Sequence, residues 1–170
     1  MSLVLSGDTG VTGNSGALVA GTSVASTSGT SIDFTSIPSW VKRITVMFNG
    51  VSTNGTSAVQ IQIGAGSVTV SGYGSGATFT TTIVGPISST TGFVFAGTTA
   101  TNTRTGSTVI TNMTGNTWIS ASTGTFDDAP ASTYTGAGKV ALGGTLDRLR
   151  ITTVNGTDTF DAGSINILYE

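Results

Sequence analysis

Residues 31–50 read SIDFTSIPSWVKRITVMFNG, a dense apolar stretch in a chain that is otherwise rich in Ser, Thr and Gly. Its apolar residues alternate with polar ones in two runs, Ile32 and Phe34 and then Ile44, Val46 and Phe48. Alternation with period two is the pattern of a strand with one buried face. Pro38 fixes φ and favours a turn. The stretch therefore predicts a strand, a turn at Pro38, a Trp40 ring that closes the edge of the fold, and a central strand over residues 41–48.

The same alternation recurs along most of the chain. In residues 58–64, for example, Val59, Ile61 and Ile63 share one face and Gln60 and Gln62 the other. No segment has a helical period, and helix-forming residues are scarce. The pattern predicts an all-β fold, an antiparallel β-sandwich or jelly roll of about 9–11 strands. Residues 1–25 are sparser and predict an extended N-terminal arm, followed by a single β-sandwich domain over residues 26–170.

Turn signals lie between the predicted strands. Asn-Gly is the strongest short hairpin signal, because both central residues of a type I′ turn need positive φ. Asn155-Gly156 therefore predicts a hairpin between residues 149–154 and residues 157–162. Residues 113–116 predict a second hairpin, and Gly163 predicts a bulge that re-phases the last strand.

Composition excludes several classes of function. Only 8% of the 170 residues are charged, and the formal net charge is −2, so the basic patch of a nucleic-acid binder is missing. Thr, Ser and Gly number 34, 21 and 25. No apolar run is long enough for a transmembrane helix, which predicts no membrane insertion.

Catalytic and metal sites are also disfavoured by the residue types present. The chain has no His and no Cys, which removes the usual nucleophilic triads and the commonest transition-metal ligands. Most carboxylates lie in apparent turns, where Asp commonly caps the backbone. The adjacent pair Asp127-Asp128 could contribute to a calcium site, but its spacing matches no loop motif and favours a solvated loop. We therefore expect no enzymatic activity, no cofactor and no bound metal.

Candidate contact residues fall into two groups. Three segments, 71–77, 98–107 and 123–138, are predicted to be outward loops. Their candidate surface-binding residues are Tyr73, Arg104, Asp127, Asp128 and Tyr134. The arm and one late strand supply a candidate interface with other subunits or with a larger particle, namely Leu3, Val4, Leu5, Arg148 and Arg150. Paired arginines are good interface candidates in a domain so poor in charge.

Parts of the chain resemble a known module. The motif SIDFTSIPSWVKRITVMFNGVSTNGTS followed by IQIG, and the ending GTLDRLRITTVNGTDTFDAGSINILYE, are similar to a module of tailed-bacteriophage and prophage virion proteins. This module often forms the C-terminal domain of tail fibres. The resemblance covers residues 28–63 and 139–170, and the opening LVLSGDTGV resembles the start of many phage surface proteins. It brings no catalytic or ligand-binding residues with it.

The resemblance implies a non-enzymatic protein on the exterior of a phage particle, made in the cytoplasm of the bacterial host. Such heads are usually homotrimers, and the first interpretation is a short tail-fibre or receptor-binding protein. The implied partners are other copies of the chain, tail or capsid proteins, and a glycan or protein of the host surface. The alternative is a capsid decoration (cement) protein that stabilises the head through its N-terminal arm.

Overall fold

The computed structural model describes residues 18–80, 86–127 and 132–170, together with the backbone of residues 5–6 and 10–11. Every regular element in these ranges is a β-strand. The strands are β1 Leu5–Ser6, β2 Gly10–Val11, β3 Val19–Ala20, β4 Val24–Ala25, β5 Ser31–Thr35, β6 Arg43–Thr53, β7 Val59–Ala65, β8 Ser67–Val68, β9 Gly74–Phe79, β10 Ile87–Ser89, β11 Phe93–Val94, β12 Arg104–Thr114, β13 Thr117–Phe126, β14 Ser132–Ala141, β15 Arg148–Thr153 and β16 Phe160–Tyr169.

Two antiparallel sheets make up the body of the described chain. The large sheet has the order β10-β9-β14-β13-β12-β6-β16-β3, with β4 also paired to β16. The small sheet has the order β11-β7-β15-β5, with β8 paired to β7. The expected all-β, antiparallel architecture is confirmed, with the sheets arranged as in a sandwich, whereas the jelly-roll connectivity stays a prediction. Six of the sixteen described strands have only two residues, so the longer ones number ten.

Residues 31–50 contribute one strand to each sheet. Ile32 and Phe34 of β5 point into the core from the small sheet, and Ile44, Val46 and Phe48 of β6 do so from the large one. Between them, Trp40 is half-buried and its ring lies 5.9 Å from that of Tyr169. β6 is central, because β12 and β16 pair with it on either side. The stretch thus ties the two sheets together.

Aromatic rings fill much of the space between the sheets. Phe48 meets Phe95 edge to face with their centroids 5.0 Å apart, and Phe95 meets Tyr134 at 5.9 Å. Glycines on the inner face of β13 and β14 make room for these rings. A Cβ on Gly138 would lie 2.8 Å from Cδ1 of Phe93, which is closer than packed carbon atoms approach.

The predicted turns lie where the sequence places them, but they do not always join the strands that were expected. The hairpin around residues 113–116 is confirmed, since Thr114 pairs with Thr117 where β12 meets β13. The hairpin at Asn155-Gly156 is wrong, because β15 belongs to the small sheet and β16 to the large sheet. This turn carries the chain across the sandwich. The bulge at Gly163 is confirmed by the register shift between Ala162 and Ser164.

The last part of the predicted arm belongs to the large sheet. β3 and β4 pair with β16 of the same chain, and Ser26 donates from its backbone nitrogen to the Gly163 carbonyl at 2.9 Å. Leu3 and Val4 lie outside the described residues. Leu5 is described only as backbone in β1, which pairs with β2, so the attachment role of these three residues stays a prediction.

Candidate functional site

The outer face of the small sheet carries a row of three polar side chains on neighbouring strands. Arg150 of β15 pairs in register with Gln62 of β7 on one side and with Asp33 of β5 on the other. Side chains of directly paired residues stand side by side on the same face. The row therefore presents an amide, a guanidinium and a carboxylate in sequence; we call it the amide–guanidinium–carboxylate row.

Two ion pairs fix the charged groups on this face. Arg150 donates from Nε and Nη2 to the Asp33 carboxylate at 2.7 and 3.1 Å, and Arg148 binds Asp147 in the same two-pronged way at 2.8 and 3.2 Å. Both pairs are partly exposed. The hydrogen bond from Arg148, aided by the Gly66 amide, holds the pKa of Asp147 below its usual value. Bidentate geometry orients each guanidinium in one plane.

At the glutamine end of the row, residues 89–91 form hydrogen bonds with the side-chain amides of Gln62 and its neighbour Gln60. Gln62 is only 6% exposed and donates from Nε2 to the Thr91 carbonyl at 3.0 Å. The Oε1 atom of Gln60 accepts hydrogen bonds from the Thr91 and Ser89 hydroxyls at 2.9 and 3.3 Å. Buried amides normally have such partners. The Gln62 Oε1 atom, in contrast, accepts no hydrogen bond from the described residues and is not enclosed.

Hollows flank the row on both sides. One, of about 290 Å³, lies between Gln62, Arg150 and the turn at Asn155 and Gly156. The other, of about 340 Å³, lies between Asp33, Arg148, Arg150 and residues 66–68. Arg150 lines both hollows. We call the two hollows and the row between them the polar groove.

Sequence reasoning found only part of the groove. Arg148 and Arg150 were predicted to share a face of one strand, and both line the groove; their predicted role in a subunit or particle interface stays a prediction. Gln62 and Asp33 were missed. Alternation shows on which face a residue lies, but not that β7 and β5 flank β15, so the three side chains could not be brought together from the sequence.

Tyr73 is not a surface residue, contrary to the sequence-based expectation. Its ring is 3% exposed and packs edge to face on Phe93 at 5.0 Å. Its hydroxyl accepts from the Ile63 backbone nitrogen at 2.8 Å and donates to the Ile63 carbonyl at 3.2 Å. Burial raises the pKa of Tyr73 to about 12. Segment 71–77 is not wholly a loop either, because β9 begins at Gly74.

Tyr134 and Arg104 are also buried, each with 1% of its surface exposed. Arg104 begins β12, and its guanidinium donates from Nη2 to the Gly97 carbonyl at 2.9 Å and lies 5.6 Å from the Phe126 ring. Tyr134 lies in β14 beside Phe126, and burial raises its pKa to about 12. The predicted exposure of both residues is therefore wrong. Segments 98–107 and 123–138 contain parts of β12, β13 and β14.

Asp127 is exposed, as predicted, and accepts a hydrogen bond from the Thr105 hydroxyl at 2.6 Å. Asp128 lies outside the described residues. Within the described ranges, no group of three or more His, Cys, Asp or Glu side chains is placed to hold a metal ion.

The outer face of the large sheet has a different character. Among the outward side chains of β6, β12, β13 and β14, the charged ones are Arg43 and Lys139, both at one end. Arg43 is paired with Glu170 at 2.9 Å. The remainder of this face is Thr, Ser, Ala and Val with Asn49 and a few larger apolar residues, and Ile119 is among those exposed. We call it the charge-poor face.

Comparison with protein-family models, with curated proteins and with solved structures finds no match to this chain. Among the described residues, no helix is long and apolar enough to cross a membrane.

Proposed function

We propose that this chain is a non-enzymatic protein of the exterior of a tailed-bacteriophage particle, of the short tail-fibre or receptor-binding type, acting as a homotrimer. The observation that carries the proposal is the contrast between the two outer faces of the sandwich. One face is broad and nearly free of charge, and the other holds the polar groove. A protein that is built into an assembly and also contacts an external partner needs two such surfaces.

The charge-poor face suits association with further copies of the chain. Strands of 10 or 11 residues form it, and the four of them span roughly 19 Å by 33 Å, about 630 Å². Stable protein interfaces bury roughly 600–1,000 Å² on each partner. Interface centres are depleted of charged residues, as this face is.

The resemblance of residues 28–63 and 139–170 to the phage module supports the particle context. The lack of His and Cys supports a role in binding and not in catalysis. On the other face, two ion pairs hold their charged groups in fixed orientations, namely Arg148–Asp147 and Arg150–Asp33. Such preorganised groups favour recognition, because little side-chain entropy is lost when a partner binds.

Adsorption of the purified chain tests the receptor-binding role. We expect the fluorescently labelled protein to bind the bacterial host and to slow adsorption of the phage that carries it. A variant with Arg150→Ala, which removes the shared residue of both hollows, should lose most of this competition. Unimpaired phage adsorption at saturating concentrations of the folded wild-type protein would count against the proposal.

A decoration protein is the second candidate, favoured by the same charge-poor face, which would also suit packing on a capsid lattice. Quantitative mass spectrometry of purified particles separates the two. A copy number matching the few fibres of a tail supports the first role. One matching the many capsid subunits supports decoration and overturns the tail assignment.

A further inference from the structure

We propose that the polar groove binds an uncharged carbohydrate, with Gln62, Arg150 and Asp33 as the recognition residues. This inference names the ligand class for the external partner and therefore rests on the proposed function. Carbohydrate hydroxyls both donate and accept hydrogen bonds, so a site for them must offer both kinds of group at fixed positions.

The amide–guanidinium–carboxylate row offers both kinds of group side by side. The Gln62 Oε1 atom is an acceptor, held in place because Nε2 of the same amide is bonded to the Thr91 carbonyl. Arg150 uses Nε and Nη2 for Asp33, which leaves the two hydrogens of Nη1 available as donors. The Asp33 carboxylate has further lone pairs and supplies a second acceptor.

Burial strengthens the case for Gln62 in particular. With 94% of the residue's surface covered, the Gln62 side chain is fixed in place, while its Oε1 atom accepts no hydrogen bond from the described residues and is not enclosed. An acceptor that is fixed and still accessible can receive a ligand hydroxyl with little further loss of side-chain entropy. A ligand hydroxyl that donates to this oxygen would complete the pairing that the protein itself does not supply.

Charge balance selects an uncharged ligand. Each of the two arginines that line the groove is paired with an aspartate, Arg150 with Asp33 and Arg148 with Asp147, so the two pairs carry no net charge to attract an anion. An acidic sugar would compete with Asp33 for Arg150 and leave that carboxylate without its partner. Neutral hydroxyls can bind both groups without breaking the pair.

Size and walls fit one or two sugar units. The hollow beside Gln62 is about 290 Å³, at the lower end of the range for small-ligand sites, roughly 300–1,000 Å³. Val70 and Val154, 56% and 45% exposed, line the same hollow and offer aliphatic surface for the C–H groups of a sugar ring. A peptide strand is a poorer fit, because the row runs across the strands from β7 to the edge strand β5 and not along that edge.

The test uses the full-length chain and saturation-transfer NMR. The probes are neutral hexoses, deoxyhexoses, N-acetylhexosamines and their disaccharides, with uronic acids and sialic acid as the anionic arm. We expect at least one neutral saccharide to bind. Arg150→Lys keeps a charge beside Asp33 but loses the fork, and Gln62→Met keeps the volume but loses the acceptor. Each should weaken binding at least tenfold.

Thr27→Ala, exposed between β4 and β5 and outside both the polar groove and the charge-poor face, serves as the matched control and should bind like the wild type. Thermal unfolding of each variant checks that it is folded. The proposal is overturned if only anionic saccharides bind, if folded Arg150→Lys binds as well as the wild type, or if no saccharide binds. Loss of saccharide binding with retained adsorption to cells overturns the ligand class alone, whereas absence of both overturns the proposed function.

Discussion

Gly163 of β16 lies against the backbone of Gly50 in β6, and both residues have positive φ, 89° and 62° respectively. The two glycines form a paired bulge at which the register of the central ladder shifts. A Cβ on Gly163 would overlap the Gly50 carbonyl, while a Cβ on Gly50 would meet nothing within 4 Å. The two positions thus share a left-handed backbone that favours glycine but differ in free space.

Alanine substitution at these two glycines should separate the cost of a left-handed backbone conformation from the cost of a steric clash. Gly50→Ala should cost about 1 kcal/mol for the left-handed conformation alone. Gly163→Ala should cost about 2–4 kcal/mol, since the backbone must also move. Urea unfolding of both variants measures the difference, and equal losses would contradict the close approach at Gly163.

The two buried tyrosines should respond in opposite ways to loss of their hydroxyls. Tyr73→Phe leaves the Ile63 backbone nitrogen without its acceptor and should cost about 1–3 kcal/mol. The Tyr134 hydroxyl has no hydrogen-bond partner among the described residues, so Tyr134→Phe should be neutral or slightly stabilising. Each variant is the control for the other, and chemical denaturation provides the measurement. A large loss on Tyr134→Phe would show that its hydroxyl is bonded.

Acid should weaken the turn that crosses between the sheets. The Asn155 side-chain amide, and then the Ser57 backbone amide, donate to Asp158 and lower its pKa below 3.8. A lowered folded-state pKa contributes stability above the unfolded value, and this contribution disappears as pH falls through the folded value. The melting temperature should therefore drop below about pH 4.

Two variants isolate the contribution of this carboxylate. Asp158→Asn and Asn155→Ala should both lower the melting temperature at pH 7 and flatten its dependence on pH between neutral and acid. A pH profile with the wild-type slope in both variants would assign the acid sensitivity to other carboxylates.

A charge placed in the middle of the charge-poor face should break self-association. Ala121 is exposed on β13, between Val109 of β12 and Ala137 of β14. Ala121→Glu should reduce the mass measured by light scattering from that of the assembly to the 16.9 kDa of one chain. Val154→Glu, beside the groove, is the control and should stay assembled. A wild-type protein of single-chain mass would rule out this use of the face.

Where apolar and polar residues alternate in the sequence, the alternation correctly predicted which side chains face the core. Ile44, Val46 and Phe48 were expected on one buried face, and they lie there. The central position of β6 was also expected from this stretch. These features depend on local geometry alone, because successive side chains of a strand point to opposite faces.

The burial of Tyr134 in β14 could not be predicted from alternating hydropathy, because along this strand the size of the side chains alternates and their hydropathy does not. Ser132, Tyr134 and Val140 point inward, as do the two glycines between them, while threonines, alanine and lysine point outward. The volume that the Tyr134 ring occupies is left by Gly124 of β13 and Gly106 of β12, since a Cβ on either would crowd its hydroxyl. A search for alternation of side-chain volume would have placed this ring in the core.

Pairing between distant strands could not be predicted from these patterns. Asn155-Gly156 was identified as a turn, but turn chemistry is local and does not determine which sheet the next strand joins. The polar groove could not be predicted for the same reason. Arg150, Gln62 and Asp33 come from three separate segments and meet only because β15 lies between β7 and β5.

The position of β16 has a consequence for how the chain reaches this structure. β6 lies early in the chain, yet Ile44 pairs with Tyr169, and one edge of β6 stays unpaired during translation until β16 has been made. Long-range pairing of this kind slows folding, and unpaired strand edges promote association between unfinished chains. Folding is therefore completed after synthesis of residues 160–169. When many copies are made together, β16 of one copy can pair with the waiting β6 of another, so slower synthesis at lower temperature should raise the yield of correctly folded protein.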